Sequence, residues 1–126
     1  MGKLREEELT ERIIRCAIEV HRELGPGLLE SVYEEALGLE LANAGLACVS
    51  QVGVRVAYKG VSLSGSFRAD LVVEGKVVIE LKTVEAILPV HEAQLLSYMK
   101  LGGWRIGLLF NFKSALLRDG LRRFSL

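Results

Sequence analysis

Phe67-Arg68-Ala69-Asp70-Leu71-Val72-Val73-Glu74-Gly75-Lys76-Val77-Val78-Ile79-Glu80-Leu81-Lys82 is the stretch that decides how this chain folds. Two apolar runs rich in valine flank Glu74-Gly75-Lys76, a three-residue connection with a central glycine that fits a β-hairpin. A loop of that length sets residue 73 opposite 77, 72 opposite 78, 71 opposite 79, and Asp70 opposite Glu80. Side chains alternate along a strand, so Glu80 and Lys82 share one face while Val77, Ile79 and Leu81 take the other. Val72, Val78 and their neighbours leave neither face polar throughout, which predicts strands covered on both sides. Such a sheet needs helices on both faces, and the rest of the chain supplies them.

Upstream, Leu9, Ile13, Ala17, Val20 and Leu24 recur at spacings of three and four, one face of a helix over residues 8–24. Gly25-Pro26-Gly27 breaks it, since proline lacks a donor and restricts the residue before it. A second helix carries the three-four spacing through Leu29, Val32, Ala36 and Leu39 to Ala44, with Gly45 as its stop. Period two then begins at Val52, Val54, Val56 and Tyr58, followed by a Lys59-Gly60 turn, a short strand at Val61 and Leu63, and another over residues 67–73. Pro89 opens a helix over residues 90–101 that Gly102-Gly103 ends. Residues 104–112 are almost uniformly apolar, a buried central strand expected parallel to the second hairpin strand across that helix. Asp119-Gly120 turns the chain into an edge strand. The expected fold is α/β (α+β), one mixed sheet flanked by helices with two helices N-terminal to it, and residues 1–126 are expected to form a single domain.

The chain has 126 residues, half of them apolar, which is enough for a buried core. Sixteen Lys plus Arg balance sixteen Asp plus Glu, so any attraction to a polyanion has to come from a local patch. Cys16 and Cys48 form no CxxC and suit reduced thiols in a cytoplasmic protein. The charged start and the lack of a long apolar run point away from export and from a membrane. His91-Glu92 is followed three residues on by Leu95 where a zincin needs its second His, and no phosphate-binding glycine loop or nucleophile elbow is present.

The chemistry concentrates in Asp70, Glu80 and Lys82. Directly opposed residues of a hairpin have Cβ atoms about 4.5–5.5 Å apart, and two carboxylates at that distance repel unless a cation lies between them. Mg²⁺ fits, since it takes one or two carboxylates and completes its shell with water and phosphate oxygens; Lys82 beside it would hold a scissile phosphate or help deprotonate the attacking water. The competing reading is a solvated, salt-bridged sheet surface, weakened here by the apolar residues on either side. On the second helix Glu30, Tyr33 and Glu34 share a side, and on the third His91, Gln94 and Tyr98 do. Gln94 would contact a phosphate or water if that stripe faces the cleft, and is merely hydrated otherwise. Arg118, Arg122 and Arg123 read as a solvated edge that resists strand pairing.

Gly27-Leu28-Leu29-Glu30-Ser31-Val32-Tyr33 matches the G-x-x-E-x-x-Y signature of the small bacterial and archaeal GxxExxY proteins. Leu24-Gly25-Pro26-Gly27, Arg68-Ala69-Asp70, Glu80-Leu81-Lys82, Gln94-Leu95-Leu96-Ser97-Tyr98 and Gly107-Leu108-Leu109-Phe110-Asn111-Phe112 resemble that family's other blocks, over nearly the whole chain. The family is placed among the PD-(D/E)xK nuclease-like proteins, whose restriction-endonuclease-like core is a mixed sheet between helices. The resemblance implies Mg²⁺-dependent phosphodiester hydrolysis, with Mn²⁺ as a substitute, Asp70 and Glu80 as metal ligands, Lys82 as the motif lysine, and Glu30 and Gln94 in support. Ala69 stands where the superfamily name has proline. The expected partner is nucleic acid, DNA ahead of RNA, and action on two strands favours a homodimer. The alternative is a non-catalytic domain of the same fold that binds nucleic acid or a protein partner.

Overall fold

The structure, a computed structural model, describes residues 2–126, and side-chain surroundings from residue 6 onward apart from Ser66. The hairpin forms in the expected register: β2 (Val61–Val73) and β3 (Val77–Lys82) pair antiparallel, Val73 with Val77, Val72 with Val78 and Leu71 with Ile79. Glu74 and Gly75 take φ of 55° and 65°, and the Lys76 N–H closes the loop on the Val73 carbonyl at 3.0 Å.

β1 (Cys48–Tyr58) pairs antiparallel with β2 on one side of this hairpin, while β4 (Ile106–Asn111) pairs parallel with β3 on the other. β5 (Leu121–Ser125) adds antiparallel to β4 after a 3₁₀ turn at Leu117–Gly120, giving a five-stranded sheet in the order β1-β2-β3-β4-β5. The parallel pair is joined through α3 (Pro89–Gly102), the crossover that parallel strands require. β4 is buried at every residue, which accounts for its uniformly apolar run.

The helices α1 (Gly2–Leu24) and α2 (Glu30–Asn43) cover one face. There Ile13, Ala17, Val20, Tyr33, Leu37 and Leu41 pack on Leu71, Val73, Val77, Ile79, Leu81 and Phe110. Leu95 and Met99 of α3 cover the other with Val54, Ala69, Val72, Val78 and Leu109. Among the described residues, no helix is long and apolar enough to cross a membrane.

Three expectations change in detail. The two short strands at 61–63 and 67–73 are one strand, and the interruption around Gly65 survives as a register shift against β1, where Arg55 pairs with Ser66 and Ala57 with Ser62. β4 begins at Ile106, two residues later than its apolar run suggested. The third concerns α2, whose buried stripe is Tyr33, Leu37 and Leu41, while Leu29 is 74% exposed and Val32 and Leu39 are exposed as well. That helix is apolar on most sides, so spacing alone cannot select the inward one. Stacking of the Tyr33 ring on Phe112, centroids 4.5 Å apart, selects it.

Candidate metal and catalytic site

That rotation of α2 builds the first part of the site. Glu30 and Glu34 precede Tyr33 and Leu37 by three residues on the same helix side, so they flank the buried stripe and are half-buried at the sheet's edge. Tyr33 also anchors the elbow before the helix. Its hydroxyl donates to the Gly25 carbonyl and accepts the Leu28 N–H at 3.1 Å, which fixes where the Gly25-Pro26-Gly27 turn delivers Glu30. The G-x-x-E-x-x-Y spacing thus has a physical reason: the tyrosine pins the loop that aims the glutamate.

The second part lies where β2 leaves β3. Their backbone pairing runs from Val73 to Leu71, and at the next position carboxylates replace it. The Asp70 N–H donates to Glu80 Oε1 at 3.1 Å, and the Leu81 N–H donates to Asp70 Oδ2 at 2.8 Å. Asp70 and Glu80 are therefore brought together as the hairpin register required, each tied to the other's strand. Each carboxylate spends one oxygen on that bond, leaving Asp70 Oδ1 and Glu80 Oε2 for other partners.

The strands also change face here. Leu71 and Val73 pack under α1 and α2, yet Ala69 and Phe67 pack under α3, although all four are two residues apart. On β1 the same change separates Cys48 from Val52 and Val54, across Gln51 with its φ of 54°. A paired irregularity of this kind re-aims side chains that strict alternation would send elsewhere. Gln51 follows from it: its amide donates to Glu34 Oε1 and Oε2 at 2.9 and 3.0 Å, and it works against the rise that burial gives the Asp70 pKa. Nothing in the sequence marked Gln51, because a glutamine in a period-two run carries no signal of positive φ.

Lys82, half-buried at the end of β3, lowers the pKa of Glu30, Asp70 and Glu80 alike and so lies within electrostatic reach of all three. The chain just beyond it is held by Asn111, 2% exposed, whose side chain accepts the Val84 N–H at 3.0 Å and donates to the Val84 carbonyl at 2.8 Å. One lysine does not balance these acids. Burial, and then the Asp70 charge, push Glu80, only 7% exposed, up from 4.5 to about 8. Burial raises Asp70 as well, and burial followed by Asp70 raises Glu30; burial also raises Glu34.

On α3 the expected polar stripe divides. Tyr98 stacks on Phe67 at 4.4 Å, and burial followed by Glu80 and Asp70 raises its hydroxyl, so it stands beside the acids. Gln94, one turn earlier, is exposed on a groove with Phe67, Val90 and Tyr98, and its side chain makes no hydrogen bond among the described residues. His91 caps its own helix, its Nδ1 accepting the Leu88 N–H at 2.9 Å.

The donor set is hard oxygen in excess negative charge, which suits a hard divalent cation. Among the described residues, no three His, Cys, Asp or Glu side chains are grouped to hold an ion unaided. Asp70 and Glu80 would accordingly supply two ligands and leave the others to water and substrate, the arrangement Mg²⁺ tolerates best.

A family model for the PD-(D/E)XK nuclease superfamily matches residues 7–124. The chain belongs to that superfamily. Among curated proteins there is no match. Of solved structures, the crystal structure of SSO0001 is similar over 99% of this chain at 20% identity with a TM-score of 0.53, a likeness of fold. The chain spans 61% of the length of that protein. PD-(D/E)XK nucleases generally use divalent metals, and the nuclease fold suggests interaction with nucleic acid.

Proposed function

We propose that this protein is a Mg²⁺-dependent nuclease that hydrolyses phosphodiester bonds, with Asp70, Glu80 and Lys82 filling the D, E and K of the superfamily's name. The observation that carries this reading is the carboxylate pair, Glu80 buried and Asp70 half-buried, each bonded to the other's strand, with Glu80 pushed up to about 8 despite the lysine two residues on. Such an arrangement costs stability in the metal-free fold, and a cation relieves it. When bound, Mg²⁺ or Mn²⁺ supplies charge neutralisation at the phosphate and a more acidic water. Asp70 and Glu80 would hold it. Lys82 binds a non-bridging phosphate oxygen and stabilises charge that builds there during in-line attack. Glu30, half-buried and within reach of Lys82, orients the lysine and water; Gln94 meets the substrate further along α3.

Membership of the GxxExxY proteins belongs to the same proposal and rests on the Tyr33 anchor and Glu30. Cys16 and Cys48 are both free, which suits a reducing, cytoplasmic setting. The whole chain is taken as one nuclease domain, with DNA ahead of RNA as substrate. A homodimer has its candidate surface in Leu29, Val32 and Leu39, exposed on the outer side of α2. Light scattering is expected to give twice the 13.9 kDa chain mass, and a single-chain mass at working concentration would remove the dimer.

Lys82→Ala separates binding from chemistry. Stabilisation by Mn²⁺ is expected to persist in this variant, while cleavage of a labelled DNA and RNA panel falls on the order of a hundredfold or more. Loss of both together would make Lys82 a structural partner of the acids. Cation stabilisation of the wild type with no cleavage of any substrate would instead favour the non-catalytic binding domain.

A further inference from the structure

Past Gln51 and Asp70 the β1–β2 ribbon leaves the sheet. β3 pairs with only Leu71, Val72 and Val73 of β2, whereas β1 follows β2 out to the Tyr58–Val61 pair. The far ribbon rests on α3 through Val54 and Ala69. Its opposite side, with Gly53, Arg55, Ala57 and Arg68, is exposed.

Charge on this ribbon is one-sided. Residues 49–69 hold Arg55, Lys59 and Arg68 and no Asp or Glu, in a chain of zero formal charge. Among the described residues none of the three cations forms an ion pair with an acid. Gly53 pairs with Arg68 and Arg55 with Ser66, so the two arginines are diagonal neighbours on one side of the ladder, roughly 7–8 Å apart. Gly53 precedes Arg55 by two residues on its strand and leaves open space where a side chain would stand. At the tip, Lys59 and Gly60 take φ of 49° and 81°, and Lys59 Nζ lies 5.3 Å from the centre of the exposed Tyr58 ring. Asp70 sits at the ribbon's root, among carboxylates that repel a polyanion.

We propose that the ribbon is the surface that grips the substrate: Arg55, Arg68 and Lys59 bind the phosphodiester backbone of a nucleic acid and lead it to Asp70. The direction of travel rests on the nuclease reading; the binding does not. An acidic site needs a cationic approach, and a neutral molecule supplies one only by segregating its charges.

The test measures anisotropy of a labelled DNA duplex against salt, in chelator so that nothing is cut. The double variant Arg55→Glu with Arg68→Glu is expected to weaken binding at least about tenfold and to reduce the salt slope by about two, one for each lost phosphate contact. Arg118→Glu with Arg123→Glu, exposed on the far side of the sheet, is expected to bind as wild type. Arg55→Gln with Arg68→Gln guards against a folding defect, since it removes charge without reversing it and should show a smaller loss. In Mn²⁺, duplex cleavage should fall in the ribbon variant, while hydrolysis of bis(p-nitrophenyl) phosphate, too small to span the ribbon, stays unchanged. Equal binding by wild type and ribbon variants, equal weakening by the control pair, or no salt-dependent binding by wild type overturns the proposal. Binding that depends on the ribbon, with no hydrolysis of either substrate, upholds the proposal and removes the nuclease reading instead.

Discussion

Asp70→Asn is expected to raise the thermal stability of the metal-free protein and to abolish both its response to divalent cations and its nuclease activity. Burial already raises the Asp70 pKa, and its charge in turn raises Glu80 and Glu30. Asparagine keeps an oxygen to accept the Leu81 N–H, so the tie between the strands survives while the repulsion goes. For the wild type, a cation at a hundred times its Kd adds about 2.7 kcal/mol, on the order of 10 °C in Tm for a chain of this size. The variant should show almost none of that rise, and cleavage should drop on the order of a thousandfold. Melting both proteins with chelator and with millimolar Mg²⁺ or Mn²⁺ makes the comparison. A cation-induced rise that persists in Asp70→Asn, or is missing from both proteins, contradicts the assignment.

Stability of the metal-free protein should fall as pH rises from about 4.5 to 8. Glu80 titrates near 4.5 when unfolded and near 8 when folded, so across that window the native chain binds more protons than the unfolded one. A native group with a raised acid pKa is stabilising when protonated and loses that contribution as it ionises. The loss is on the order of 5 kcal/mol once the pH passes 8, and the raised Glu30, Glu34 and Asp70 act in the same direction. Cation binding runs the opposite way, because it needs the ionised carboxylates: the rise in Tm should be small at pH 5.5, grow toward pH 8, and release a proton on binding. Glu80→Gln should flatten both trends. Metal-free melts between pH 5 and 9 that show no slope would mean Glu80 is solvated and ionised throughout.

Much of this site was legible because the hairpin is local. Glu74-Gly75-Lys76 fixes the register within three residues, and the register places Asp70 by Glu80 without any knowledge of the rest of the fold. Lys82 follows from period two on an unbroken strand. The helices were less transparent. α2 is apolar on most sides, so the spacing favoured Leu29, Val32 and Leu39, while the packing of Tyr33 on Phe112, almost eighty residues later, decided otherwise. Gln51 and Asn111 were illegible for a different reason. Each matters through one backbone irregularity or turn, and the residue types that occupy such places are ordinary polar ones. His91 and Gln94 show the reverse case: helical spacing proposed them with Tyr98, and geometry gave one to a cap and one to an open groove.

The change of face at Gln51 and Asp70 makes the molecule modular in a way that bears on its evolution. Distal to that point the ribbon needs only its own ladder and a few α3 contacts, and proximal to it Asp70 and Glu80 are each tied to backbone. Paired insertions or deletions near the Tyr58–Val61 end lengthen or shorten the reach of the ribbon without moving Asp70, Glu80 or Lys82. Relatives that handle different substrates should therefore vary in the length and charge of residues 55–66, while the connection at 74–76, a few residues from the acids, tolerates no such drift.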